Sequence, residues 1–248
     1  MNVTGQIQTL SGWVESCKPR RMAFFGGAGV STESGIPDFR SPDGLYAQKY
    51  GDVPPEEMIS RSYFDVHPQK FFEFYFDRMI AREAQPNRAH LKLAQLEADG
   101  VLSAVITQNI DGLHQKAGSR NVLELHGSVL RNYCMNCGRF FDLDEEIALH
   151  EASVDGVPRC PDCGGVAKPD VVLYEEGLDG RVLEQSVAAI SSADLLVIAG
   201  TSLAVYPAAG LIDYFSGDHL VIINLAPTPR DRYADLCIAA KVGEVLSF

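Results

Sequence analysis

Two short cysteine knuckles constrain what this chain can fold into more than any other feature. Cys134-Met-Asn-Cys137 and Cys160-Pro-Asp-Cys163 are CxxC pairs with roughly twenty residues between them, the spacing of a metal-binding ribbon. A CxxC turn sets two sulfurs on one side of a tight loop, and two such turns complete a tetrahedral site of four thiolates. Gly138 and Gly164 each follow a knuckle and suit the backbone turn there. A pair of redox-active dithiols is the alternative, but redox CxxC motifs normally come singly and precede a helix. The spacing therefore predicts one structural zinc ion on Cys134, Cys137, Cys160 and Cys163. Four protein ligands leave no open position, so this zinc is expected to do no chemistry. Cys17 and Cys237 lie in apolar patterns and read as core residues rather than ligands.

The rest of the chain reads as an α/β protein. Ile7, Leu10, Trp13, Val14 and Cys17 recur at helical spacing, so 3–17 is expected to be an amphipathic helix. Short apolar runs at Met22–Phe25, Val101–Ile106, Val122–Leu125, Leu195–Ala199, Leu220–Ile223 and Leu236–Ala239 read as strands buried on both faces. Helical segments alternate with them at about 87–98, 181–192, 206–216 and the last few residues. Such alternation implies a doubly wound parallel sheet with ligands at the carboxyl ends of its strands. Two stretches interrupt it. Residues 45–86 hold an aromatic-rich helix (Phe71, Phe72, Phe74, Tyr75, Phe76) that is apolar nearly all round, and residues 132–165 hold the knuckles. Together they are expected to form a smaller lobe facing the sheet across a cleft.

Charge and composition narrow the partners. The formal net charge of -12 argues against nucleic acid, which would call for a basic stripe. The local clusters Lys18–Arg21 and Arg230–Arg232 read as solvated surface. An acidic protein suits cationic partners, a protein lysine among them. No basic start followed by an apolar run suggests a secretory signal, and no apolar stretch reaches the ~18 residues of a membrane span. The expected setting is cytoplasmic, with no membrane contact, where thiols stay reduced.

Three polar strand ends point to a site. Gly26-Gly27-Ala28-Gly29-Val30-Ser31-Thr32 follows the first strand, and its glycines would let backbone N–H groups approach a pyrophosphate. By itself that is equally a tight turn. The third glycine of the dehydrogenase fingerprint is replaced by Thr32, and Ser34-Gly35-Ile36-Pro37-Asp38-Phe39-Arg40 follows where a second strand–helix unit would stand. This segment could clamp a ribose and stack on a nicotinamide. Thr107-Gln108-Asn109-Ile110-Asp111 and His126-Gly127 close the next two strands, suited to ribose hydroxyls, a carboxamide and proton transfer. Gly200-Thr201-Ser202 and Asn224 end two later strands, suiting a second nucleotide half.

GAGVSTESGIPDFR, TQNIDGLH, the HG pair, both knuckles, KPDVVLYEE and GTSLAVYP occur in this order. The set resembles that of the sirtuin family of NAD-dependent protein deacylases and covers nearly the whole chain. The resemblance implies a Rossmann-like NAD-binding domain (1–44, 87–131 and 166–248), with 45–86 as helical insertion and 132–165 as zinc module. NAD would be co-substrate and an acylated lysine of a protein the partner. The amide oxygen of that lysine would attack C1′ as nicotinamide leaves, and His126 would act as general base on a ribose hydroxyl. Products would be free lysine and an O-acyl-ADP-ribose, with acetyl the expected acyl group. By motif, Gly27, Ala28, Gly29, Thr32, Asp38, Phe39 and Arg40 would contact NAD phosphates and the nicotinamide ribose. Gln108, Asn109, Ile110 and Asp111 would hold that ribose and the carboxamide, Asn109 and Asp111 sharing the catalytic centre. Gly200, Thr201, Ser202 and Asn224 would meet the adenosine half, with Lys241 and Val242 a looser match at adenine. Val171, Val172, Leu173 and Tyr174 would line the acyl-lysine tunnel and pair with the substrate as an added strand.

Two features bear on specificity. The family often has Phe-Gly-Glu where this chain has Tyr174-Glu175-Glu176, so the loop gripping the peptide is expected to differ. Tyr75 and Arg78 match a Tyr-x-x-Arg pair of sirtuins that prefer acidic acyl groups, but a buried aromatic helix explains Tyr75 without that role. A mono-ADP-ribosyltransferase would use the same pocket, and a non-enzymatic NAD or zinc module is disfavoured by His126, Asn109 and Asp111. A hydride-transferring dehydrogenase is the least favoured reading.

Overall fold

The computed structural model describes residues 2–42, 44–47 and 53–248; the remainder of the 1–44 and 45–86 segments, Met1, Asp43 and 48–52, lies outside the described residues. In chain order the strands are β1 (Met22–Gly26), β2 (Leu102–Thr107), β3 (Val122–Glu124), β4 (Gly127–Cys134), β5 (Phe140–Phe141), β6 (Ala167–Val171), β7 (Leu195–Ala199), β8 (His219–Ile223) and β9 (Leu236–Ile238). All six apolar runs became strands of one parallel sheet, ordered β3-β2-β1-β7-β8-β9. The direction of winding reverses between β1 and β7, which opens a crevice at their carboxyl ends.

Alternation along β1 divides the core. Met22 and Phe24 point into a cluster with Leu10, Val14, Leu93 and Val245, so the helices Val3–Ser16, Arg88–Ala98 and Val242–Val245 cover one face. Ala23 and Phe25 point into the opposite cluster, covered by Gly180–Ser192 and the turns at Ala208–Tyr214. The first helix is capped by the Asn2 side chain, which accepts from the Gly5 N–H.

The smaller sheet is antiparallel, ordered β5-β4-β6. Phe64, Phe71, Phe72 and Tyr75 pack in one cluster with Val129, Val157, Val171 and Leu173, so the aromatic helix and this sheet share a core. That helix runs Pro68–Phe74 and continues as a π-turn over Tyr75–Met79.

Two expectations need correction. The segment expected as a helix over 206–216 is a 3₁₀ helix at Ala208–Tyr214, where Gly210 weakens α-winding and its N–H bonds back to the Pro207 carbonyl. Cys237 is exposed, not core: Leu236 and Ile238 face the first core cluster, so Cys237 points to the opposite face, at the uncovered edge of the sheet. Cys17, by contrast, is half-buried against the first core cluster.

Candidate active site

The four thiols of the knuckles lie within 4.8 Å of one another. Cys134 and Cys163 sulfurs are 3.4 Å apart and those of Cys137 and Cys160 3.7 Å. Tetrahedral thiolates at a Zn–S bond of about 2.3 Å would stand about 3.8 Å apart, so the donor set fits zinc. The two knuckles fold alike. Gly138 N–H donates to the Cys134 carbonyl and Gly164 N–H to the Cys160 carbonyl. Both glycines are left-handed, at φ 73° and 72°, which is why each knuckle ends on one. The Gly165 position is tight, because a Cβ there would sit 3.0 Å from the Cys134 sulfur. The cluster serves as an anchor: Cys134 closes β4, and the second knuckle leads into β6.

The crevice between the sheets is a cleft of about 710 Å³. Every residue expected to meet NAD lines it, from Gly27 at one end to Lys241 and Val242 at the other, as do His126 and Val171–Tyr174. Close approach of two loops shapes its floor. A Cβ on Gly29 would stand 2.7 Å from the Gly200 Cα, and one on Gly27 2.8 Å from the Gly200 carbonyl oxygen. Gly200 itself is left-handed at φ 61°, and a Cβ there would stand only 2.5 Å from Val30 N. Only glycines allow the loops after β1 and β7 to meet, and the meeting leaves a cradle of backbone suited to a pyrophosphate.

Above this floor a polar network links three strands. Asn109 Nδ2 donates to Ser31 Oγ at 3.0 Å, and Ser31 Oγ–H donates to Asp111 Oδ2 at 2.6 Å. The other oxygen, Asp111 Oδ1, accepts the Leu113 N–H at 2.9 Å. Gln108 Nε2 donates to Thr201 Oγ1 at 3.1 Å, tying β2 to the loop after β7. The Asp38 carboxylate accepts from the Arg40 and Ser41 N–H groups, holding the Asp38-Phe39-Arg40 turn. Asn87, at the start of the helix Arg88–Ala98, donates to the Val30 carbonyl and Ser34 Oγ and fixes the far side of the glycine loop.

His126 sits in the turn between β3 and β4. Its Nδ1 is 3.0 Å from the Gln108 carbonyl oxygen. A carbonyl only accepts, so Nδ1 carries the proton and Nε2 keeps its lone pair. Burial holds its pKa below the ordinary histidine value, and the bond to Gln108 opposes this only partly. The imidazole is thus a neutral base at physiological pH. Gly127 beside it admits no other residue: a Cβ would meet the Asp170 carbonyl oxygen at 1.6 Å. The HG pair is therefore two requirements, a base and a crossing point for β6.

The stretch after β6 is held from both sides. Val172 N–H donates to the His126 carbonyl, Tyr174 N–H to the Ile59 carbonyl, and Leu173 N–H to Glu176 Oε2 at 2.8 Å. Glu175, where the motif resemblance leads to the expectation of a glycine, is left-handed at φ 77°. Its carboxylate accepts from Ser62 N–H at 2.8 Å and Ser62 Oγ–H at 3.0 Å, which offsets that conformation. Arg78 lines the cleft, close to the Asp77 carboxylate at 2.7 Å, whereas Tyr75 is fully buried and does not line it.

Sequence reasoning did not assign Ser31, Tyr46 or Tyr206 to the site, though all three line it. Ser31 stands inside the glycine loop, and a hydroxyl there was the available signal. Nothing local marks Tyr46, whose partner Tyr174 is 128 positions away.

A doubly wound sheet that opens at its switch point onto a glycine cradle and a neutral imidazole defines a dinucleotide-binding α/β protein with a four-thiolate module. The model of the Sir2 family matches residues 27–207. An NAD-dependent protein deacetylase of Clostridium acetobutylicum is 57% identical over 226 residues, covering 91% of both chains. Among solved structures, Sir2 with a deacetylated p53 peptide and 3′-O-acetyl ADP-ribose superposes with a TM-score of 0.87 at 38% identity, covering 100% of this chain and 96% of that one. Sir2 with a p53 peptide and NAD+ gives 0.85 at 39% identity, covering 97% and 95%. The chain belongs to the Sir2, or sirtuin, family.

Proposed function

We propose that this protein removes acetyl groups from protein lysines with NAD as co-substrate, releasing nicotinamide, free lysine and O-acetyl-ADP-ribose. The reading rests on similarity to deacetylases over most of the chain and on one observation, the neutral, half-buried imidazole of His126 in the cleft. The chain divides into a Rossmann-like domain (1–44, 87–131, 166–248) and a small lobe (45–86, 132–165), with the reaction between them. The glycine cradle and Thr32 would take the phosphates, Phe39 and Arg40 the nicotinamide ribose, and Asn109 and Asp111 its hydroxyls and the carboxamide. Thr201, Ser202, Asn224, Lys241 and Val242 would hold the adenosine half. His126 Nε2 would accept the proton of a ribose hydroxyl, worth about 10²–10⁴-fold in rate. The side chains of Val171–Tyr174 would wall the acyl-lysine tunnel; the N–H groups of Val172, Leu173 and Tyr174 are already engaged, so an added strand would pair beyond them.

Acetyl suits this cleft better than an acidic acyl group, because Tyr75 is enclosed in the aromatic core and Arg78 lies beside a carboxylate. A net charge of -12 supports a protein partner rather than nucleic acid. No helix among the described residues is long and apolar enough to cross a membrane, and reduced thiols suit the cytoplasm. The test is an acyl-peptide assay of wild type and His126→Ala. Deacetylation in wild type and a loss of 10²-fold or more in the variant is expected, on the order of a missing general base. Undiminished turnover in His126→Ala would refute the mechanism.

A further inference from the structure

The two walls of the cleft are joined by a bond between phenols. Tyr46 and Tyr174 hydroxyls lie 2.8 Å apart. Each belongs to a different binding surface. Tyr46 is bound to the Phe39-Arg40 turn in three ways: its N–H donates to the Phe39 carbonyl at 2.9 Å, its ring meets the Phe39 ring edge-on at 5.4 Å, and the Arg40 guanidinium lies 5.4 Å above it. Tyr174 belongs to the stretch after β6, donating its N–H to the Ile59 carbonyl and accepting from the Arg61 N–H at 3.0 Å, and its ring packs with that of Tyr46 against the cluster of Leu45, Met58, Ile59 and Phe74. Both rings are only half-buried, so water can compete for the hydroxyls and the bond is free to open.

We propose that the Tyr46–Tyr174 pair is a latch through which the dinucleotide and the acyl-lysine peptide tighten one another's binding. The inference rests on the reading that both ligands share this cleft. A ligand gripped by the Phe39-Arg40 turn immobilises Tyr46, and a peptide gripped by the Val171–Tyr174 stretch immobilises Tyr174. Whichever binds first meets part of the ordering cost of the closed bond, and the second ligand meets less, so the effect is reciprocal. Both tyrosines act as positioning residues. A phenylalanine at 174 would fill the same space without the hydroxyl, so the latch needs a tyrosine at both places.

The test uses ADP-ribose, which lacks the nicotinamide leaving group and does not turn over, and an acetyl-lysine peptide. Calorimetry gives the ADP-ribose affinity with and without saturating peptide for wild type, Tyr46→Phe, Tyr174→Phe and the double variant. The expected result is a wild-type ratio above one that falls about two- to tenfold, or to one, in each single variant. The double variant should fall no further, because one bond is lost in all three. A structural role alone would weaken both affinities by one factor and leave the ratio in place. A wild-type ratio of one, or a ratio preserved in the variants, would overturn the latch while leaving the deacetylase reading intact. Failure of wild type to bind either probe would overturn both.

Discussion

At the scale of single residues, the ionisation of two desolvated groups, one half-buried and one fully buried, decides how the protein responds to pH. His126 must be neutral to accept a proton, and burial keeps it neutral below the ordinary value of 6.5. The acid limb of kcat/KM for acetyl-peptide is therefore expected below 6.5; a limb above it would contradict a base made weaker by burial. Glu146 is the opposite case. It is fully buried in the helix Leu143–Ala152, near Tyr75, and burial raises its carboxyl from 4.5 to about 8. Between those values the unfolded chain has released a proton that the folded chain keeps, so stability is complete below 4.5 and is lost as pH rises toward 8. Glu146→Gln carries no such proton. Its stability relative to wild type should grow by up to about 1.4 kcal/mol per pH unit across that window in urea unfolding, and a flat difference would contradict a buried neutral carboxyl.

At the scale of elements, the site depends on the meeting of the loops after β1 and β7. Gly200→Ala introduces a Cβ 2.5 Å from Val30 N at a left-handed φ of 61°. Moving either backbone strains the sheet ends, so a loss of about 2 kcal/mol or more in stability and severe loss of ADP-ribose binding are expected. Unchanged binding in a folded Gly200→Ala would contradict the cradle. The central strands of the parallel sheet were legible because they are buried on both faces and so read as short apolar runs, Leu195–Ala199 being the clearest. The π-turn at Tyr75–Met79 and the 3₁₀ helix at Ala208–Tyr214 were not, because helix period says little about which carbonyl a given N–H selects. Cys237 was misread for a related reason: an apolar strand pattern does not reveal that its strand lies at an edge.

At the scale of the whole molecule, the zinc site acts through geometry. The small sheet shares its core with the aromatic helix, and its strand β4 begins at Gly127, directly after His126. Without zinc the four thiols, all within 4.8 Å of one another, would have nothing to hold them together. Metal analysis should find one zinc per chain, and chelation should lower the melting temperature and abolish deacetylation together. Full turnover by metal-free protein would contradict the anchoring role. The four ligands and the strand-end motifs were legible because their spacing is local. The contact of Tyr46 with Tyr174 was not, since it joins residues 128 positions apart that meet only across the fold. The most direct test of the central claim is a product balance for purified protein with NAD and an acetyl-lysine peptide. Nicotinamide, free-lysine peptide and O-acetyl-ADP-ribose should form in equal amounts, and none without peptide. Nicotinamide release that leaves the acetyl group on lysine, with ADP-ribose joined to protein, would contradict it.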